Sequence, residues 1–108
     1  MSGFDDRLKG FEAKLSHDSE LQFKVNARRD RILGMWAAEK LGITGEAAMD
    51  YAAAVVLSDL EKPGDDDVIE KVLGDFKKHG VLLDEATLRA ELERCHHQAK
   101  QQLADESR

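Results

Sequence analysis

Phe4, Leu8, Phe11 and Leu15 recur at steps of four, three and four residues, with charge at most positions between them. At 3.6 residues per turn, that spacing puts all four on one side of a helix. Gly10 interrupts the stripe, and an interior glycine costs a helix about 1 kcal/mol relative to alanine. A helix this short is marginal in water when isolated. The stripe is narrow, out of phase with Leu21 and Val25, and stops where Ser16-His17-Asp18-Ser19 offers helix-starting residues. Residues 1–18 therefore read as a mobile amphipathic segment, flexible when free, that folds onto a partner rather than into its own core.

Four longer periodic stretches follow. Leu21, Val25, Ile32 and Trp36, widened by Leu33, Ala37 and Leu41, predict a helix over about 19–41, stopped by Gly42. Ala48, Tyr51, Ala52, Val55, Val56 and Leu60 predict one over about 45–61, whose small alanines admit a close neighbour. Lys62-Pro63-Gly64 is a turn. Asp65, Asp66 and Asp67 suit the positive end of a third helix over about 66–79, carrying Val68, Ile69, Val72, Leu73 and Phe76. Its end is marked by Lys77, Lys78 and His79 before Gly80. Asp84 is a candidate cap for a last helix over about 85–104, with Leu83 and Leu88 placed as a hydrophobic staple and Leu92, Cys95, Ala99 and Leu103 continuing its apolar face. Short connections make such helices antiparallel neighbours. The expectation is an all-α, antiparallel four-helix bundle over 19–108, with residues 1–18 outside it.

Composition narrows the function. Over 108 residues, 42% are hydrophobic and 35% charged, as in a charge-coated helical domain. The net charge of −6 is the wrong sign for a general nucleic-acid or anionic-membrane binder. Only residues 21–41 are basic, with Lys24, Arg28, Arg29, Arg31 and Lys40 against Asp30 and Glu39. One cysteine makes no internal disulfide, and no apolar run is long enough to span a bilayer, so a cytoplasmic protein is expected.

No glycine-rich phosphate loop and no nucleophile–base constellation is recognisable, so an enzyme is not expected. Two sets of residues offer alternatives. Arg28 and Arg29, with Arg31 and Lys24, could grip phosphate, which would make a nucleotide-responsive binding module with weak affinity for adenine nucleotide. Glu93, Cys95 and His96 could ligate a metal in a small metal-binding bundle. However, adjacent helical residues diverge by about 100°. Cys95 also lies on the apolar stripe, so no metal and no resident cofactor is expected.

A resemblance joins these features. Phe4-Asp5-Asp6-Arg7, Phe11-Glu12-Ala13-Lys14, Gln22-Phe23-Lys24, Ala27-Arg28-Arg29 and Leu33-Gly34-Met35-Trp36-Ala37-Ala38-Glu39, in that order and spacing, resemble the zeta subunit family of alphaproteobacterial F-type ATP synthases. The resemblance implies an inhibitor rather than an enzyme. The N-terminal segment would enter a catalytic interface between the alpha and beta subunits, reach toward the rotor (gamma) subunit and block ATP hydrolysis. Phe4, Leu8, Phe11 and Leu15 would be apolar anchors, and Asp5, Asp6, Arg7 and Lys14 charged contacts that set the register. The protein would be a monomer when free and peripheral to the inner membrane through the ATP synthase. Leu15-Ser16 stands where Phe-Ala is expected, and Asp30 where a neutral Asn is common, which partly neutralises the arginine cluster.

Overall fold

The computed structural model describes residues 3–60 and 64–106, with side chains from residue 6 onward. Every regular element among them is helical: α1 (Gly3–Leu15), α2 (Ser19–Lys40), α3 (Gly45–Leu60), α4 (Asp66–Lys78) and α5 (Glu85–Glu106). The last four fall within two residues of their expected bounds, because each carries its own start or stop signal. After α2, Gly42 takes a φ of 77°, Ile43 donates to the Ala38 carbonyl at 2.8 Å and Gly42 donates to Glu39 at 3.1 Å. Gly80 repeats the arrangement after α4, with Val81 donating to Phe76 at 2.9 Å. Both ends are Schellman stops, which satisfy the orphan carbonyls of the final turn. At the start of α5, Asp84 Oδ1 accepts from the Thr87 amide at 2.7 Å, and hydrogen bonding from Thr87, its side chain first and then this amide, holds the Asp84 pKa below the ordinary carboxylate value.

α2 packs against both α3 and α5, and α4 packs against the same two helices. The main core lies between them: Leu33 and Ala37 of α2, Val55 of α3, Val68, Ile69, Val72 and Phe76 of α4, and Leu88, Leu92 and Cys95 of α5. Trp36 stacks on Phe76 with ring centroids 6.1 Å apart. α2 and α3 approach closely where Gly34 lies against the backbone of Ala52. A second tie joins α3 to α4: the Tyr51 hydroxyl donates to Asp75 at 2.8 Å, and burial together with that carboxylate pushes the tyrosine pKa up.

The expected count of four helices is corrected to five among the described residues. α1 is a regular helix laid on α5, with a smaller contact to α2. The phase mismatch with Leu21 and Val25 does not prevent this, because α1 is not a continuation of α2. Ser16 and His17 form a turn, and Asp18 restarts the chain as the cap of α2, accepting from the Leu21 amide at 3.1 Å. Gln22 reaches back and donates to the Leu15 carbonyl at 2.9 Å, closing the end of α1.

Candidate functional site

The stripe that opens the sequence forms the contact between α1 and α5. Phe11 is 6% exposed and shares a second core cluster with Val25, Ala99 and Ala104, with Leu8, Leu15, Leu21, Ile32 and Leu103 packed around it. Leu8 and Leu15 are half-buried, while Asp6 and Lys14 face solvent. The Phe4 and Asp5 side chains lie outside the described residues. Polar contacts frame the apolar strip. Lys100 of α5 donates to Glu12 at 2.9 Å, and Arg7 lies 3.9 Å from Asp105. Glu12, Lys100 and Asp105 carry no local sign of this role, since Glu12 and Lys100 are 88 residues apart in the chain.

The basic segment divides. Arg28 spans from α2 to the end of α5, donating to Gln102 at 2.8 Å and with both terminal nitrogens to Glu106 at 2.8 and 2.9 Å. The hydrogen bond with Glu106 raises the arginine pKa and lowers that of the glutamate. Arg28 also lines an open cleft of about 490 Å³ with Phe23, Lys24, Arg31 and Val56.

Arg29 points the other way and is 5% exposed. Its Nε donates to Asp30 Oδ1 at 3.0 Å, Nη1 to Asp65 Oδ1 at 3.0 Å and Nη2 to Asp59 Oδ2 at 3.2 Å. One guanidinium thus joins α2, α3 and the cap of α4. Burial opposes its charge, but the three carboxylates outweigh that and hold its pKa above the ordinary value. Arg29 is therefore spent on internal carboxylates and is not available to grip a phosphate. Asp30 is fully buried. Burial first, and the neighbouring Asp59 next, push its pKa up to about 8, against the pull of Arg29.

The alternative metal set does not converge. Cys95 is in the main core, where burial and then Glu91 push its thiol up to about 11, so it is a protonated packing residue. Glu93 is exposed and His96 half-buried, with burial and then Arg29 depressing the imidazole pKa. Among the described residues no three His, Cys, Asp or Glu side chains could hold a metal ion. No described helix is long and apolar enough to cross a membrane.

Comparison with known proteins places this architecture. The family described as ATPase inhibitor subunit zeta matches residues 1–102. The chain belongs to that family. Its members are regulatory inhibitor subunits, not enzymes, which supports a role as an inhibitor of ATP synthase. A protein whose solution NMR structure is known is 46% identical, and the match covers 80% of this zeta-family chain and 98% of that protein at a TM-score of 0.71. No match is found among curated proteins.

Proposed function

We propose that this zeta-family chain acts at an F-type ATP synthase through α1, which leaves its seat on α5 and inserts at a catalytic interface between alpha and beta subunits. There Phe4, Leu8, Phe11 and Leu15 anchor the helix, while Asp5, Asp6, Arg7 and Lys14 set its register toward the rotor. Residues 19–108 remain folded as the stop that keeps the segment in place, on the cytoplasmic side and peripheral to the inner membrane. The free protein is a monomer in which α1 exchanges between docked and undocked positions.

The observation that carries this reading is the construction of α1. It is joined to α2 through a two-residue turn, and among its described side chains only Phe11 is buried, whereas α2 buries seven residues. Such a helix can leave without dissolving the main core, which contains none of its residues. Docking and insertion use the same apolar face, so they exclude one another. Burying Phe11 is worth about 1.5–3 kcal/mol. If about 3 kcal/mol favours the docked form, only about 1% of molecules are ready to bind, and apparent affinity falls about a hundredfold.

The test is ATP hydrolysis by the cognate ATPase with added protein. The full chain is expected to inhibit, and a chain lacking residues 1–18 to keep its helical content and lose inhibition. Collapse of helical content and of the melting transition on deletion would make α1 part of the core and sink the division into segment and stop. Lys100→Ala removes a docking contact on α5 without altering α1, so it is expected to inhibit at a lower concentration, by up to about fivefold, as suits the loss of an ion pair of at most about 1 kcal/mol. An unchanged or weaker effect argues against exchange.

A second reading, a nucleotide-responsive module, keeps support from the cleft in which Phe23 offers a stacking face beside Lys24, Arg28 and Arg31. NMR shifts at those residues on adding ATP would support it, and an unmoved spectrum at millimolar ligand would dismiss it.

A further inference from the structure

At the junction of α2, α3 and α4, three carboxylates share one buried cation. Each donating nitrogen of Arg29 serves a different acid, leaving Asp30 with a single bond, at Oδ1. The Oδ2 atom of Asp30 is buried and meets no hydrogen-bond donor among the described residues. The Asp30 side chain has the Asp59 carboxylate as its neighbour, the two held on Nε and Nη2 of one guanidinium, and a carboxylate can only accept when ionised.

Among the described residues, no donor is hydrogen-bonded to Oδ2. From α3 comes Asp59 and from the cap of α4 comes Asp65, both acids. From α5, Cys95 and His96 lie near Arg29; burial pushes the thiol up to about 11 and its hydrogen points to Glu91, while burial lowers the imidazole pKa. Arg89 and Glu93 of α5 line the neighbouring cleft with Arg29, Asp65 and His96, and Arg89 is turned to Glu85 and Asp66. α2 itself supplies only Arg29. With all three acids ionised, the junction would carry two uncompensated negative charges around a side chain that water does not reach.

We propose that Asp30 is a resident proton-binding site, holding on Oδ2 a proton that it donates to Asp59, and that loss of this proton loosens the α2–α3–α4 junction. The proton supplies the one missing donor and removes one of the two excess charges. This reading is independent of how the chain acts on its partner.

The direction with pH follows. In the unfolded chain Asp30 ionises in the ordinary carboxylate range, near pH 4. In the folded chain it keeps its proton to higher pH, because burial and Asp59 both oppose the charge. Between those limits the folded state binds one more proton than the unfolded state, so stability is full at low pH and declines as pH rises. Where only the unfolded chain is ionised at this site, the unfolding equilibrium constant increases up to about tenfold per pH unit from this group.

Asp30→Asn is the matching variant, since the amide keeps an N–H donor toward Asp59 at every pH and cannot ionise. In the full chain with labelled aspartate, one carboxyl carbon is expected to titrate well above the ordinary range, toward about pH 8, and to vanish in Asp30→Asn. In denaturant unfolding between about pH 5 and about pH 8, the wild type is expected to lose stability with rising pH more steeply than the variant; the histidines contribute equally to both. If every aspartate carboxyl of the wild type is ionised by about pH 6, or if the two stability profiles run parallel, the proposal is overturned. The wild-type titration decides the matter by itself if the variant does not fold.

Discussion

Arg29→Met is expected to destabilise the fold by about 3–5 kcal/mol, the range for removing one partner from a buried ionic group. The volume of the side chain is largely kept, so the loss reports charge rather than a cavity. Asp30, Asp59 and Asp65 would face one another without the guanidinium that joins them. For a chain near 100 residues, each kcal/mol lowers the melting temperature by about 4–8 °C, so the variant is expected to melt at least about 12 °C lower. Urea unfolding measures the free energy directly. A loss under about 1 kcal/mol would mean that the cluster is solvated and that Arg29 does not hold the junction. Arg31→Met is the internal comparison: Arg31 neighbours Arg29 in sequence but is exposed, and its loss is expected to fall within about 0.5 kcal/mol.

Gly34→Ala is the second large effect, and its sign runs against helix propensity. In an unconstrained helix the change would stabilise by about 1 kcal/mol. Here an added Cβ would lie 2.6 Å from the Ala52 Cα and 3.0 Å from its Cβ. The obstacle is backbone, not the end of a flexible side chain, so α2 and α3 must move apart. Overpacking of this kind costs about 1–3 kcal/mol, and separation of the two helices also weakens the packing of Leu33 and Val55, both fully buried. The measured outcome is expected to be a lower urea midpoint for Gly34→Ala. At Gly10, where nothing lies within 4 Å of an added Cβ, the same substitution is free of this penalty. A Gly34→Ala protein as stable as the wild type would show that α2 and α3 are not locked at this distance.

These two sites mark where the sequence is legible. The bounds of α2 to α5 were readable because their signals are local: a glycine after the last turn, an aspartate before the first, an apolar residue every third or fourth position. Asp84 as a cap and Gly42 and Gly80 as stops needed no knowledge of the rest of the chain. The apolar face of α1 was equally readable, yet its seat on α5 was not, because periodicity says that a face will be covered and not by what. Arg28 and Arg29, adjacent and alike in sequence, were both candidates for a phosphate. Their fates diverge because neighbouring helical positions point about 100° apart. One turns to Glu106 at the end of α5 and the other to Asp59 and Asp65, 30 and 36 residues away in the chain.

By itself the sequence determined the helical class, the ends of four helices, the amphipathic character of the fifth and the resemblance that the family match bears out. Those properties rest on hydrogen bonds and periodicity within about five residues of any position. Only the tertiary structure decided that α1 is docked, that Phe11 is its buried anchor, that Gly34 is a contact point between helices and that Asp30 lies in the interior beside two other acids. Each of these depends on which surfaces meet across long separations in the chain. The free energy of burying a charge or an aromatic ring is set by that meeting, not by the residue's neighbours in sequence.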